Sequence, residues 1–222
     1  MNSFRLYFFL FVLFFFNSLF AQEELGNGLL FSKFEKGFVF LNNGKNYTAA
    51  FNYDMSRQKM LFQDVDSTTF VIGKPLEIFV VIIGNHRFFP VSSTGVFYEE
   101  ILAGNGSFFV KRRACLVSEG KEAAYTGYSQ TESASTYSSW QDIGSPVILK
   151  QNEKFKLETE CFYYLKSGNS YKRFYSAKTL GKLFKGHESE IQKFADEQSI
   201  DFKKIDDVAR IVEYGYSLAS NP

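Results

Sequence analysis

Between Leu29 and Val117 the chain alternates short apolar runs with turn residues at intervals of roughly ten: FVFL, YTAAFNY, KMLFQ, TTFVI, LEIFVVII, RFFPV, VFYEEIL and SFFVKRRACLV. Runs of this length, rich in Phe, Val, Ile, Tyr and Thr and bounded by Gly, Asn, Asp and Pro, predict an antiparallel meander of about seven or eight strands. LEIFVVII, residues 76–83, is nearly continuous in apolar residues and reads as a central strand covered on both faces. Asn-Gly between β runs favours a two-residue hairpin turn of fixed register. With Asn43 and Gly44 at the turn centre, Phe40 faces Tyr47 and Phe38 faces Ala49. With Asn105 and Gly106 at the next, Ile101 faces Val110, Leu102 faces Phe109, Glu100 faces Lys111 and Glu99 faces Arg112.

The alternation lapses from Glu119 to Asn152, an interval long enough to be a functional loop. It returns in KFKLETECFYYLK, turns at SGNS (Ser167–Ser170) and continues in YKRFYS, a further hairpin. After Ser176 the period changes from two to about 3.6. Leu180, Leu183 and Phe184 share one helical face, with Ser176 placed to cap and Gly186 to terminate. A second helix spans about His187 to Gln198 with Ile191, Phe194 and Ala195 inward. A third starts near Asp206 and buries Val208, Ala209, Ile211 and Val212. The pattern defines an α+β chain, a predominantly antiparallel β meander with a later hairpin, followed by a small C-terminal helical segment packed on the sheet. Its divisions are a leader (1–21), the meander (22–118), a long Ser/Tyr-rich loop (119–152), a β-hairpin completing the sheet (153–175) and the C-terminal helices (176–222).

The leader changes the picture most. Arg5 and the free amine precede an apolar core from Leu6 to Phe16, then Asn17, Ser18 and Ala21, the three-part pattern of a secretory signal peptide. The core is short for a bilayer span. No cysteine follows it, which argues against a lipoprotein. Removal of the first 21 of 222 residues leaves 201 and takes away one basic side chain of the 25, against 24 acidic ones. A neutral chain with no basic run longer than Lys111–Arg113 argues against nucleic-acid binding. Strands shorter than the spanning length, and a helical C-terminus, argue against an integral membrane barrel.

An exported chain with two cysteines, Cys115 and Cys161, can form a disulfide worth roughly 4 kcal/mol. Alternation argues against it, because Cys115 shares a face with Lys111 and Arg113, whereas Cys161 shares one with Phe155, Leu157 and Tyr163. Free thiols packed as small apolar residues are the other reading.

The tests for chemistry come back incomplete. His86 and His187, the only histidines, lack ligand-spaced partners, and HESEI at His187 ends in Ile191 where a second histidine would be needed, so no metal site and no cofactor is implied. DVDST at Asp64 lacks the glycine and distal glutamate of a calcium loop and reads as a hairpin turn. No serine sits in a nucleophile elbow. Glu99 and Glu100 point to opposite faces of a strand and cannot act together as acid and base. NYT at Asn46 and NGS at Asn105 are glycosylation sequons only in a eukaryotic secretory route.

The Phe-rich leader ending in Ala-Gln, FVFLNNGK, FFPVSSTGVFYEEILAGNGSFFVKRR, AAYTGYSQT and KLFKGHESEIQKFADEQSIDFKKIDDVARIVEYGY together resemble a group of exported proteins of Bacteroidetes-type bacteria with no established activity. The resemblance covers nearly the whole chain after the leader. It implies a periplasmic or secreted address and supplies no catalytic residue.

One candidate surface remains. Tyr125, Tyr128, Tyr137 and Trp140, the only tryptophan, lie on the Ser/Thr-rich loop, where aromatic anchors among adaptable polar neighbours make a recognition surface for a protein partner or a glycan-type ligand. Packing of the same rings over an open end of the sheet is the structural alternative. The sequence thus leads to an exported, non-catalytic envelope protein that binds a partner or ligand. The alternatives are a hydrolase whose site is assembled from distant residues, and a structural subunit of an envelope assembly.

Overall fold

The structure, a computed structural model, describes residues 28–123, 127–129, 136–137 and 153–220, with the side chains of 118–155 left aside. The alternating segments form β1 (Glu35–Leu41), β2 (Asn46–Asp54), β3 (Lys59–Gln63), β4 (Thr69–Val71), β5 (Ile78–Ile83), β6 (His86–Pro90), β7 (Phe97–Ala103) and β8 (Gly106–Ala123). They continue in β9 (Gly127–Ser129), β10 (Thr136–Tyr137), β11 (Glu153–Ser167) and β12 (Ser170–Phe174). The helices are α1 (Ala177–Gly181), α2 (Glu188–Glu197) and α3 (Ile205–Ser220). All the strands join one antiparallel sheet in the order β12-β11-β8-β7-β6-β5-β1-β2-β3-β4, with β9 and β10 on β8. The expected meander with helices packed on it is therefore present. The sheet is open, with β4 and β12 at its two ends, and no helix among the described residues is long and apolar enough to cross a membrane.

Three details differ from the local reading. The first hairpin pairs Val39 with Tyr47 and Phe38 with Thr48, one residue away from the expected register. A three-residue loop, Asn42 to Gly44, causes the shift: Leu41 N donates to Lys45 O, and Gly44 takes the left-handed conformation at φ +83° that glycine tolerates. A one-residue shift exchanges the faces of the side chains relative to their partners. The β7–β8 hairpin is displaced by two, with Glu99 opposite Val110 and Glu100 opposite Phe109. Here the positive φ falls on Gly104, placing Gly104 and Asn105 at the turn centre. A shift of two preserves faces, so Glu99 still points inward and Glu100 outward.

The third difference concerns 76–83. Pro75–Glu77 form a 3-10 turn ahead of β5, and β5 lies between β1 and β6. Its inner face is sealed by Val81 and Ile83, but Phe79, beside the register shift opposite Phe40/Leu41, is exposed on the other side. The strand is central in hydrogen bonding without being covered on both faces.

The sheet curls around its inner face, which carries two apolar clusters. One holds Phe51, Tyr53, Met60, Val81, Phe88 and Phe97. Its closure is visible where β7 stops pairing at Val110, because Ala114 N of β8 then donates to Met55 O in the β2–β3 turn (3.2 Å). The other cluster packs Phe108, Val110, Tyr163 and Phe174 under the helices. Ser176 caps α1 in reciprocal hydrogen bonds with Thr179. α1 ends at Gly181, earlier than expected, and Gly186 (φ +89°) instead closes the turn before α2. Ile191 and Ala195 of α2 and Val208, Ile211 and Val212 of α3 are buried as their spacing requires, with Ala209 half-buried.

The interval 119–152 is not wholly loop. β8 runs on to Ala123, and β9 and β10 pair back on it. β11 occupies one edge of β8 as far as Lys121, so β9 and β10 use the edge that β7 uses lower down. Cys115 and Cys161 are free thiols on opposite faces, opposite Glu158 and Arg112 respectively. Burial is the main cause that raises both thiol pKa values, which keeps them protonated and unreactive at neutral pH.

Two predictions follow from this packing. A β-carbon on Gly37 would lie 2.5 Å from the Ile82 carbonyl oxygen and 3.0 Å from the Phe51 ring. Gly37→Ala should therefore lower the free energy of unfolding by about 1–3 kcal/mol, read from urea denaturation. The second concerns the tyrosines. Burial pushes Tyr163 up from its ordinary 10.0 to about 12 and raises Tyr53 and Tyr98 as well. The folded chain keeps phenolic protons that the unfolded chain releases. Stability should be undiminished by these groups below about pH 10 and decline as pH rises toward about 12, and denaturation midpoints that stay level across that window would refute the assignment.

Candidate functional site

The corrected register of the first hairpin lines a pocket. On the inner face Val39 and Leu41 of β1 stand beside Tyr47, Ala49 and Phe51 of β2 and Phe62 of β3. Because β1 pairs with β5, the chain leaving β4 has to cross over β1, β2 and β3 to start β5. The crossing segment, Ile72 to Glu77, roofs the pocket, with Ile78 at its end. It is fastened at both sides: Ile72 N donates to Met60 O, and Asn42 in the first turn donates through its backbone N to Glu77 O and through Nδ2 to Leu76 O (2.8 Å). The pocket is open to solvent and has a volume of about 700 Å³, within the usual span of small-molecule sites.

The polar groups of this pocket sit at its mouth and are already engaged. Lys74 Nζ lies 3.1 Å from Glu77 Oε1 in an exposed ion pair. Asp64 Oδ1 accepts from the backbone N of Asp66 and Thr68, holding the β3–β4 turn. The interior is left to apolar side chains, with Phe62 between Phe51 (ring centroids 6.4 Å) and Phe70 (5.6 Å). Tyr47, Val65, Phe70 and Leu76, around or beside the opening, are exposed. Such an arrangement has room for an apolar body, with Asp64, Lys74 and Glu77 engaged at its rim.

A second polar constellation lies on the inner face away from the pocket. Glu99, only 2% exposed, accepts from Arg112 Nε through Oε2 (2.6 Å) and meets His86 Nδ1 through Oε1 (2.5 Å). Arg112 Nη1 in turn approaches Cys161 Sγ at 3.9 Å. Phe31 packs edge-on against the His86 ring at 5.1 Å. The row crosses β6, β7, β8 and β11 and separates the two apolar clusters: Phe97 and Ala114 lie on one side, Val110 and Tyr163 on the other. Glu99 thus keeps the partner its sequence position suggested, reached diagonally. Glu100, on the outer face, pairs with Arg87 (2.6 Å) and Ser107, not with Lys111.

Of the aromatic residues singled out on the long loop, Tyr125 and Trp140 lie outside the described residues. The backbones of Tyr128 and Tyr137 belong to β9 and β10, opposite Glu122 and Leu116. Asp64–Thr68 forms the expected hairpin turn, with Ser67 at φ +60°. Among the described residues no group of three or more His, Cys, Asp and Glu could hold a metal ion. The pocket went unread in the sequence because its floor depends on a one-residue register and its roof on β1 pairing with β5, forty residues away. The one local trace is Gly73-Lys74-Pro75, whose Pro begins a 3-10 turn in place of a hairpin.

Fold and site together define an open, curled antiparallel sheet with a helical cap and a roofed apolar pocket. The chain matches no family model, no curated protein and no solved structure.

The buried row generates its own prediction. Arg112→Met leaves the Glu99 carboxylate without its strongest partner and should cost about 3–5 kcal/mol of stability, whereas Glu99→Met combined with Arg112→Met should recover much of that loss. A double-mutant cycle in urea checks it; strictly additive effects would show that the two groups are not coupled.

Proposed function

We propose that this is an exported, non-catalytic binding protein of the cell envelope that holds a small apolar or amphipathic molecule beneath the β4–β5 crossover. The observation that carries this reading is the 700 Å³ pocket itself, apolar inside and with its charges paired at the mouth. A ligand with an apolar body and a polar end placed at Lys74 and Glu77 suits it. The exposed apolar side chains beside the opening suit transfer of that ligand to or from a partner surface. An envelope address draws on the signal-peptide pattern of the first 21 residues and on the resemblance to exported Bacteroidetes-type proteins. The hydrolase alternative has less support, because His86 and Glu99 line no part of the pocket and the Glu99 carboxylate is committed to Arg112.

Ala49 lies on the pocket floor with room in front of it, so Ala49→Phe fills the cavity. Titration with the neutral apolar dye Nile red should give saturable, blue-shifted emission for the parent protein. The Ala49→Phe variant, at an unchanged denaturation midpoint, should bind at least about tenfold more weakly, about 1.4 kcal/mol. Equal affinity of both proteins, or emission that never saturates, would sink the pocket as the ligand site.

A further inference from the structure

The outer face of the sheet carries a cluster of cations whose charge is not balanced. Phe162 of β11 lies opposite Lys111 of β8, Glu160 lies opposite Arg113, and Tyr164 lies opposite Arg173 of β12. All these side chains point outward, and three cations converge on one ring: the Lys111 ammonium is 5.9 Å, the Arg113 guanidinium 5.5 Å and the Arg173 guanidinium 4.7 Å from the Phe162 centroid. One carboxylate answers them, Glu160, which accepts from Arg113 at 2.6 and 3.1 Å. Among the described residues Lys111 and Arg173 have no carboxylate partner. The ring quadrupole offsets part of the repulsion. The remainder is felt by Lys111, whose pKa is lowered by burial first and then by Arg113 and Arg173.

An aromatic strip adjoins the cluster on the same face. Tyr175, exposed, lies under the Arg173 guanidinium at 6.0 Å. Tyr98 stacks on Tyr164 with centroids 4.7 Å apart and meets Tyr171 edge-on at 5.2 Å. Electron-rich ring faces accept the C–H edges of a sugar ring, and arginine forks match carboxylates.

We propose that this face binds an acidic polysaccharide, its carboxylates held by Lys111 and Arg173 and its sugar rings laid on Tyr175 and the neighbouring tyrosines. The charge pattern favours a glycan over a nucleic acid. The 24 basic side chains that remain after Arg5 are matched by 24 acidic ones, a poor field for a polymer with one phosphate per nucleotide. The site is separate from the crossover pocket and does not depend on it.

Calorimetric titration of the full chain with a short oligogalacturonate at low salt tests this. Saturable binding is expected, weakened by added salt and reduced at least about tenfold, or 1.4 kcal/mol, by Arg173→Gln and by Lys111→Gln. Tyr175→Ala, at an exposed position, should weaken it as well and serves if a charge variant fails to fold. A neutral dextran oligomer should not bind, and Nile red affinity should be the same in all of these variants. No binding by the parent protein, undiminished binding by the variants, or tighter binding of a single-stranded oligonucleotide than of the oligogalacturonate would overturn the proposal.

Discussion

The rest of the structure depends on one buried carboxylate. Glu99 stands on the inner face of a sheet that is otherwise apolar there, and an ion so placed survives only if its partners replace the water it has lost. Arg112 and His86 do so from the two neighbouring strands, which ties β6, β7 and β8 together at one height. A slip of β7 by two residues, which preserves the faces, would put Phe97 or Ile101 in the place of Glu99 and leave Arg112 without a carboxylate. The apolar residues on either side, many of them interchangeable in size and chemistry, discriminate less sharply between registers. The row therefore specifies the register more than it adds net stability, the role in which buried ion pairs are best understood.

Consequences of that register propagate around the curl. With β6 and β7 fixed, Phe88 and Phe97 form the floor on which Tyr53 stacks (6.0 Å from Phe88), and the β2–β3 turn is carried to β8, where Met55 takes the N–H that β7 no longer uses. Bending β1 and β2 over in this way forces the β4–β5 link to cross the inner face. The pocket is the space left between that link and a floor kept low by Ala49 and by the absence of a side chain at Gly37, against which the Phe51 ring rests.

How much of this was legible depends on how local each cause is. KMLFQ is β3 residue for residue, and the inward positions of α2 and α3 follow from spacing alone, because alternation and helical period act within a few residues. Hairpin registers were half legible. Asn-Gly marked the turns, but whether a loop has two or three residues is decided by which position takes the left-handed conformation, Gly44 in one case and Gly104 in the other. The β1–β5 pairing left no local signal, so the crossover and its pocket could not be read. Glu99 and Arg112 were legible as partners but not as buried ones, since burial comes from helices and strands remote in the chain.

The two charged constellations differ in a way that separates structure from function. In the inner row one carboxylate stands at hydrogen-bond distance from a guanidinium and an imidazole, a set that needs nothing further. On the outer face three cations share one ring and one carboxylate, although the same three strands could have carried neutral residues at no cost to the core. A folded chain gains nothing from crowding like charges at a surface. Their convergence makes physical sense when an anion completes the set, and the exposed Tyr175 beside them gives that anion a body to stack upon. The chemistry of the sheet is thus divided by its two faces, with a self-satisfied polar row inside that fixes the geometry and an unsatisfied cationic cluster outside that the geometry presents.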